Sequence, residues 1–277
     1  MIRTAIQLKA KIRNLSQGDS TKAQTYIRNF MMERFLERLS LSGYRNNFIL
    51  KGGMLVASIV GLDLRATMDI DATVSALPLS ADTAEKIVNE IIAVEIPDNV
   101  SFRITNITGI MEEHDYPGIR VMLEASLDNL RQAIKIDIST GDIITPGAIE
   151  YNYPLMFEDR TIPLRSYNIE TSLAEKLETI IARGAANTRM RDFYDIYLIV
   201  QQDRYDAAVV KAALAATSKG RNTDGRIASL ARILHSLETD AVLQTQWENY
   251  KADSFYVGDI SWSTIMESIK LLAEKVS

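Results

Sequence analysis

Three carboxylates and a pair of glycines are the residues in this sequence best placed to do chemistry. Asp69 and Asp71 flank Ile70, Asp137 stands in the run Ile136-Asp137-Ile138, and Lys51-Gly52-Gly53 comes ahead of them all. Alternate residues of a strand point to the same side, so the Asp69 and Asp71 carboxylates project together from Cα atoms roughly 6.5 Å apart. Two such charges repel unless a cation lies between them. Mg2+ suits that position, because it takes oxygen ligands, is commonly held by one or two carboxylates and keeps other positions for water and substrate phosphates. Asp137, on a neighbouring strand, could complete the trio that two-metal phosphoryl transfer needs, in which ions bridge the attacking and leaving oxygens. The glycines fit the same chemistry: without a Cβ the backbone can come close to a phosphate, and a helix starting there offers free N–H groups and its dipole to an anion. Taken singly, the glycines read as a turn and the acids as a solvated strand edge. Their conjunction is what points to phosphoryl transfer.

The surrounding pattern says which elements must carry these groups. Ile27, Phe30, Met31, Phe35 and Leu39 recur at helical spacing over about 21–39, with Gly43 as a stop. Phe48-Ile49-Leu50 is a short apolar run into Lys51-Gly52-Gly53, and Met54 to Val60 reads as a short helix closed by Gly61. Met68 to Val74 alternates as a strand, and Ala81 to Ala93 reads as a helix with Ser80 as N-cap. Three alternating segments, 101–110, 119–126 and 133–139, read as an antiparallel meander completing the same sheet. From Ser172 the pattern turns helical: Ser172 and Glu175 have capping-box spacing for a helix to about Arg183, a second helix covers about 190–201, and three or four more follow. The expected fold is α+β, a mixed sheet flanked by helices (1–165) with an all-helical C-terminal lobe (166–277) that closes one side of the cleft.

Composition narrows the chemistry. With 277 residues, 47 % hydrophobic and 24 % charged, the chain resembles soluble globular proteins and not disordered or fibrous ones. No apolar run approaches the ~20 residues of a membrane span, and the N-terminus lacks the apolar core of a secretory signal, so a cytoplasmic protein without a membrane partner is expected. There is no cysteine, and His114 and His235 are the only histidines, which removes disulfides, thiolate zinc and a cysteine nucleophile. Carboxylates, lysines, hydroxyls and hard cations remain. The formal charge of −5 gives no general attraction for nucleic acid, so an RNA partner needs a local basic patch.

The order Gly-Gly, helix, Asp-hydrophobic-Asp and a later strand Asp looks like the nucleotidyltransferase fold shared with DNA polymerase β. More narrowly, Phe48 to Gly53 and Asp69-Ile70-Asp71, joined to Ala174-Glu175-Lys176-Leu177 and Arg191-Asp192-Phe193-Tyr194-Asp195, resemble AbiEii-type nucleotidyltransferases, the toxins of bacterial toxin–antitoxin and phage-defence systems. The similarity spans roughly residues 20 to 200. It implies a nucleotidyltransferase-type sheet, transfer of a nucleoside monophosphate from an NTP, a tRNA acceptor, Mg2+ as cofactor and a cognate antitoxin. Carried over by position, Lys51, Gly52 and Gly53 would cradle the triphosphate, and Asp69 and Asp71 would bind Mg2+, with Asp137 as the third acid. Many relatives carry Ser where Gly53 stands, so here a backbone N–H must serve. Lys176 would contact the triphosphate, Asp192 would position the acceptor or the basic side chains, and Asp195 shares its face. Arg65 would touch phosphate, and Arg191 would lie on the substrate side.

Plainer readings stand beside these. Lys176 reads equally as an exposed helix lysine, Arg65 as an exposed loop arginine and Asp192 as a first-turn acid favoured by the helix dipole. Arg183, Arg189 and Arg191, with Lys176, form the best local basic patch for an RNA backbone, or simply a solvated turn. His114 and His235 read as structural. Tyr194 and Tyr197 read as core packing, although a tyrosine can stack on a base. Two rival activities remain: nucleotidylation or phosphorylation of a protein on the same fold, and a non-enzymatic nucleotide-binding module.

Overall fold

In the computed structural model, which describes residues 1–111 and 117–277, the chain enters through two helices, α1 (Ala5–Ser16) and α2 (Ser20–Leu41). Each starts on a side chain that accepts from otherwise free amides: Thr4 from Gln7 N, and Asp19 from Thr21 N and Lys22 N. Along α2, Phe30, Met31, Met32, Phe35 and Leu36 are at most 1 % exposed, each such burial being worth roughly 1.5–3 kcal/mol. Glu33, Arg34, Glu37 and Arg38 are buried too, and burial forces the two arginines into pairs. Arg38 donates to both oxygens of Asp98 at 2.8 and 2.9 Å and to Val100 O at 2.6 Å, while Arg34 pairs with Glu37 and Glu158.

Next come β1 (Phe48–Lys51), α3 (Gly52–Val60), β2 (Asp69–Val74), α4 (Ala81–Ile92), β3 (Ser101–Met111), β4 (Pro117–Leu127), β5 (Leu130–Thr140), β6 (Ile149–Pro154) and β7 (Thr161–Ser166). These strands form one seven-stranded mixed sheet in the order β3-β4-β5-β2-β1-β7-β6. The β2–β5 and β1–β7 pairs are parallel and the others antiparallel. Ile70 and Ala72 of β2 and Ile136 of β5 meet Phe35, Leu36 and Leu39 of α2 on one side of the sheet. Period two then sends Asp69, Asp71 and Asp137 to the other side. Ser80 caps α4, with Thr83 completing a reciprocal box.

Two strands have no counterpart in the sequence pattern. Pro163 interrupts β7 and Pro154 ends β6, and proline cannot donate to a ladder. The fold tolerates both because β6 is an edge strand and β1 pairs only with Arg165 and Ser166, beyond Pro163.

By internal contacts the chain divides into two units: 1–62, 66–142 and 149–166, which hold the sheet, and 63–65, 143–148 and 167–277. The second unit is helical: α5 (Ile169–Arg183), a single 3-10 turn at Gly184–Ala186, α6 (Met190–Gln202), α7 (Ala207–Gly220), α8 (Asp224–Ile227), α9 (Leu230–Glu238), α10 (Ala241–Asp253) and α11 (Trp262–Val276). The capping box expected at Ser172 is not formed. The cap lies four residues earlier, on Asn168, whose Oδ1 accepts from Thr171 N at 2.7 Å, and Ser172 lies buried inside the helix. The reason is tertiary, since the Asn168 amide is also fixed by donating to Thr145 O and Gly147 O. Tyr194 is core, as expected: it is 1 % exposed, with its ring near Tyr197, Trp247 and Tyr256. His235 lies beside Glu238, one turn along α9. Its side chain is 82 % exposed on the outer side of α9, and His114 lies outside the described residues. No helix among the described residues is long and apolar enough to cross a membrane.

Candidate active site

The register of four adjacent strands builds the acidic face. Lys51 of β1 pairs with Asp71 of β2, Asp71 with Asp137 of β5, and Asp137 with Arg120 of β4. One row across the sheet therefore reads Lys, Asp, Asp, Arg. In the next row Asp69 faces Lys135. One carboxylate oxygen from each of Asp69, Asp71 and Asp137 can be chosen so that all three lie within 4.8 Å of one another.

The three acids have different neighbours. Arg120 donates from Nε and Nη2 to both oxygens of Asp137, at 2.8 Å each, the fork geometry in which guanidinium and carboxylate bind most strongly. The Lys135 ammonium sits 2.7 Å from Asp69 Oδ2 and 3.5 Å from Asp137 Oδ2, and Thr67 Oγ1 donates to Asp69 Oδ1 at 3.2 Å. Lys51 Nζ is 2.6 Å from Asp142, which also accepts from Ser139 Oγ at 2.9 Å. The Asp71 carboxylate takes no hydrogen bond from a described residue. Burial first, and then the charges of Asp69 and Asp137, push its carboxyl up to about 7 against the pull of Lys51 and Lys135. Gly52 explains how Asp71 fits there at all. Its φ is +67°, and a Cβ at this position would overlap the Asp71 carboxylate, so glycine is required both for the backbone and for the space. Gly53 is buried in the first turn of α3.

A hard divalent cation fits this donor set. The donors are all carboxylate oxygens, and that of Asp71, which takes no hydrogen bond from a described residue, is held above its ordinary range by burial and then by the charges of Asp69 and Asp137, which such an ion would offset.

The second unit holds a separate polar cluster. Lys176 Nζ lies 2.8 Å from Asp192 Oδ1 and 2.8 Å from Asp195 Oδ2. Arg65 reaches Asp195 with Nε at 2.5 Å and Nη2 at 3.2 Å. Burial works against the Lys176 charge, but Asp192 and Asp195 more than offset it and its pKa is raised. Burial likewise opposes the Asp195 charge, and Arg65 and Lys176 pull its carboxyl below the ordinary range. Lys176 is thus no exposed helix lysine, and Arg65, 1 % exposed, is no exposed loop arginine. The basic patch expected around Lys176 loses that residue to the cluster; Arg189 and Arg191 are exposed and Arg183 partly so.

The model of a protein family described as nucleotidyl transferase AbiEii toxin, Type IV TA system, matches residues 34–268. The chain belongs to the AbiEii family. It is a nucleotidyltransferase of the toxin class, with a mixed sheet and a helical C-terminal region. Two crystal structures from Helicobacter pylori, one described as a nucleotidyltransferase and the other as JHP933, are similar to it at 16 % identity and a TM-score of 0.49. They cover 91 % of this chain and 94 % and 91 % of their own. No curated protein gives a significant match.

In this AbiEii chain the structure brings Lys51, Asp69, Asp71 and Asp137 onto one part of the sheet, with Gly52 against Asp71 at the start of α3, and Arg65, Lys176, Asp192 and Asp195 into one cluster of the helical unit. Arg191 stands on the exposed side of α6, in neither group. Sequence reasoning missed Lys135, Arg120 and Asp142. Lys135 had a usable signal, two residues before Asp137 and so on the same side of β5. Arg120 had none, because only the β4–β5 register sets it opposite Asp137.

Proposed function

We propose that the protein transfers a nucleoside monophosphate from an NTP to a tRNA acceptor with Mg2+ as cofactor, as the toxin of a cytoplasmic toxin–antitoxin pair in which the antitoxin restrains it, with phage defence as a setting. The observation that carries this reading is the acidic trio in register on adjacent strands, with Asp71 taking no hydrogen bond from a described residue beside the Gly52 turn.

In this reading Asp69 and Asp71 hold the cation, and Asp137, oriented by Arg120, faces the same space for an ion or for the proton of the acceptor hydroxyl. A bound Mg2+ would supply charge neutralisation at the phosphorus and on the departing pyrophosphate. Lys51, Gly52 and the Gly53 N–H lie at the start of α3, where an anion is favoured, and there they bind and orient the polyphosphate. Lys176 has three donors; Asp192 and Asp195 take two, and the third is left for phosphate. Arg65 and Asp195 then serve to fix the Lys176 ammonium, and Asp192 orients it. Arg183, Arg189 and Arg191 meet the RNA backbone. Most of the rate would come from positioning and charge stabilisation.

The test is incubation of the full chain with each labelled NTP, offering purified tRNA, total RNA or total protein, with Mg2+ or with a chelator. Label in tRNA that depends on Mg2+ supports the reading. Label in protein instead moves the acceptor to a polypeptide, and no label in any acceptor overturns the reading.

A further inference from the structure

We infer that Lys135 occupies the place of a second catalytic cation, so that the site works with one divalent ion and one fixed ammonium. This rests on the nucleotidyltransferase reading above and departs from the two-ion arrangement that three clustered carboxylates suggest.

The parallel β2–β5 register sets Lys135 opposite Asp69, and its ammonium lies 2.7 Å from Asp69 Oδ2 and 3.5 Å from Asp137 Oδ2. It therefore spans two of the three carboxylates, along the edge that a second ion would need. Arg120 takes both oxygens of Asp137, which makes Asp137 a paired counter-charge and leaves it poorly placed as an open ligand. Asp71 alone of the trio takes no hydrogen bond from a described residue. The cation position is thus centred on Asp71; of its two neighbours, Asp69 is held by an ammonium and a hydroxyl, Lys135 and Thr67, and Asp137 by the two-pronged Arg120 guanidinium.

The charges point the same way. Three carboxylates bring three negative charges, and Lys135 and Arg120 return two. A single divalent ion leaves a small positive excess facing a polyphosphate, which suits binding. A second would stand against the Lys135 ammonium, since two-metal sites hold their ions about 3.5–4 Å apart and the carboxylate oxygens here already converge within 4.8 Å. Lysine provides a charge of this kind as a compact point on a flexible stem, with three donors to spread over carboxylate and phosphate oxygens.

The test counts ions directly. Mn2+ is titrated into the full chain with a non-hydrolysable NTP analogue, and bound ions and their magnetic coupling are read by electron paramagnetic resonance, with thermal unfolding followed alongside. One uncoupled Mn2+ per chain is expected for the wild type and for Lys135→Arg. Lys135→Gln should bind two coupled ions, with transfer reduced at least tenfold at low Mn2+ and partly restored at high Mn2+. Two coupled ions in the wild type with transfer intact overturns this inference alone. No bound ion in the wild type, with no transfer to any acceptor, overturns the underlying reading as well. Should Lys135→Gln bind a single ion at the wild-type rate, Lys135 is only a structural partner of Asp69 and the inference is wrong. The wild-type count decides even if that variant fails to fold.

Discussion

Gly52 and the Asp71 carboxylate share a space too small for one methyl group. Gly52 sits at φ +67° at the start of α3, directly across from the strand that presents Asp71. By sequence alone the glycine pair offers room for a phosphate; in the fold the group nearest Gly52 is the carboxylate itself. The turn and the acid are therefore one device, and a side chain at position 52 displaces Asp71 before it meets any substrate.

Gly52→Ala should accordingly cost stability and activity together. The left-handed backbone costs a non-glycine residue roughly 1–2 kcal/mol, and the displaced carboxylate should lower nucleotide transfer by a hundredfold or more. A denaturant midpoint and the labelling assay measure the two effects; wild-type activity in Gly52→Ala would show that the Asp71 position is not critical.

Asp71→Asn is expected to abolish transfer and toxicity while leaving the chain folded. Because the folded protein raises the Asp71 carboxyl to about 7, its charge opposes folding above that pH. Removing the charge should therefore leave stability unchanged, or raise it by on the order of 1–2 kcal/mol, at pH 8 without divalent ions. A lower unfolding midpoint in the variant would contradict the electrostatic account, and full activity would remove Asp71 from the site.

Asp195 holds two buried cations, Arg65 and Lys176. Asp195→Asn should lose about 3–5 kcal/mol, since it leaves both without their shared anion. Asp192→Asn should cost less, because Asp192 is more exposed and Lys176 keeps Asp195. Equal losses in urea denaturation would mean that the shared anion is not what sets the penalty.

Glu33, buried on α2, gives a pH signature distant in origin from the acidic trio. Burial raises its carboxyl to about 8, against the pull of Arg34 and of the bonds from Met156 N and Asn29. The folded chain then keeps a proton that the unfolded chain releases near pH 4.5, so this residue's contribution to stability falls as pH rises from about 4.5 to 8. Glu33→Gln should flatten that slope and be the more stable protein at pH 8 by a few kcal/mol. Parallel stability–pH curves for the two proteins would refute the assignment.

Reversing Arg189 and Arg191 to glutamate should weaken tRNA binding and reduce its salt dependence, by about 0.7–0.9 in the log–log slope for each phosphate no longer neutralised. Filter binding at several salt concentrations reports it, and an unchanged slope would place the RNA elsewhere.

What the sequence determined by itself are the features governed by local period. Alternation over 69–74 is enough to set Asp69 and Asp71 on one side of a strand, helical spacing over 21–39 marks α2, and the meander of β3, β4 and β5 is visible in its alternation and turns. The AbiEii relationship was likewise legible, because its motifs are short and contiguous. The tertiary structure decided what depends on pairing between distant segments: β6 and β7, whose prolines hide them; the Asn168 cap, fixed by Thr145 and Gly147; and the placement of Lys135 and Arg120 among the acids. A strand's own sequence carries its period and not its partner's register. Shifting β5 by one residue would turn Asp137 and Lys135 to the opposite side of the sheet, and with them the charge balance on which the proposed chemistry depends.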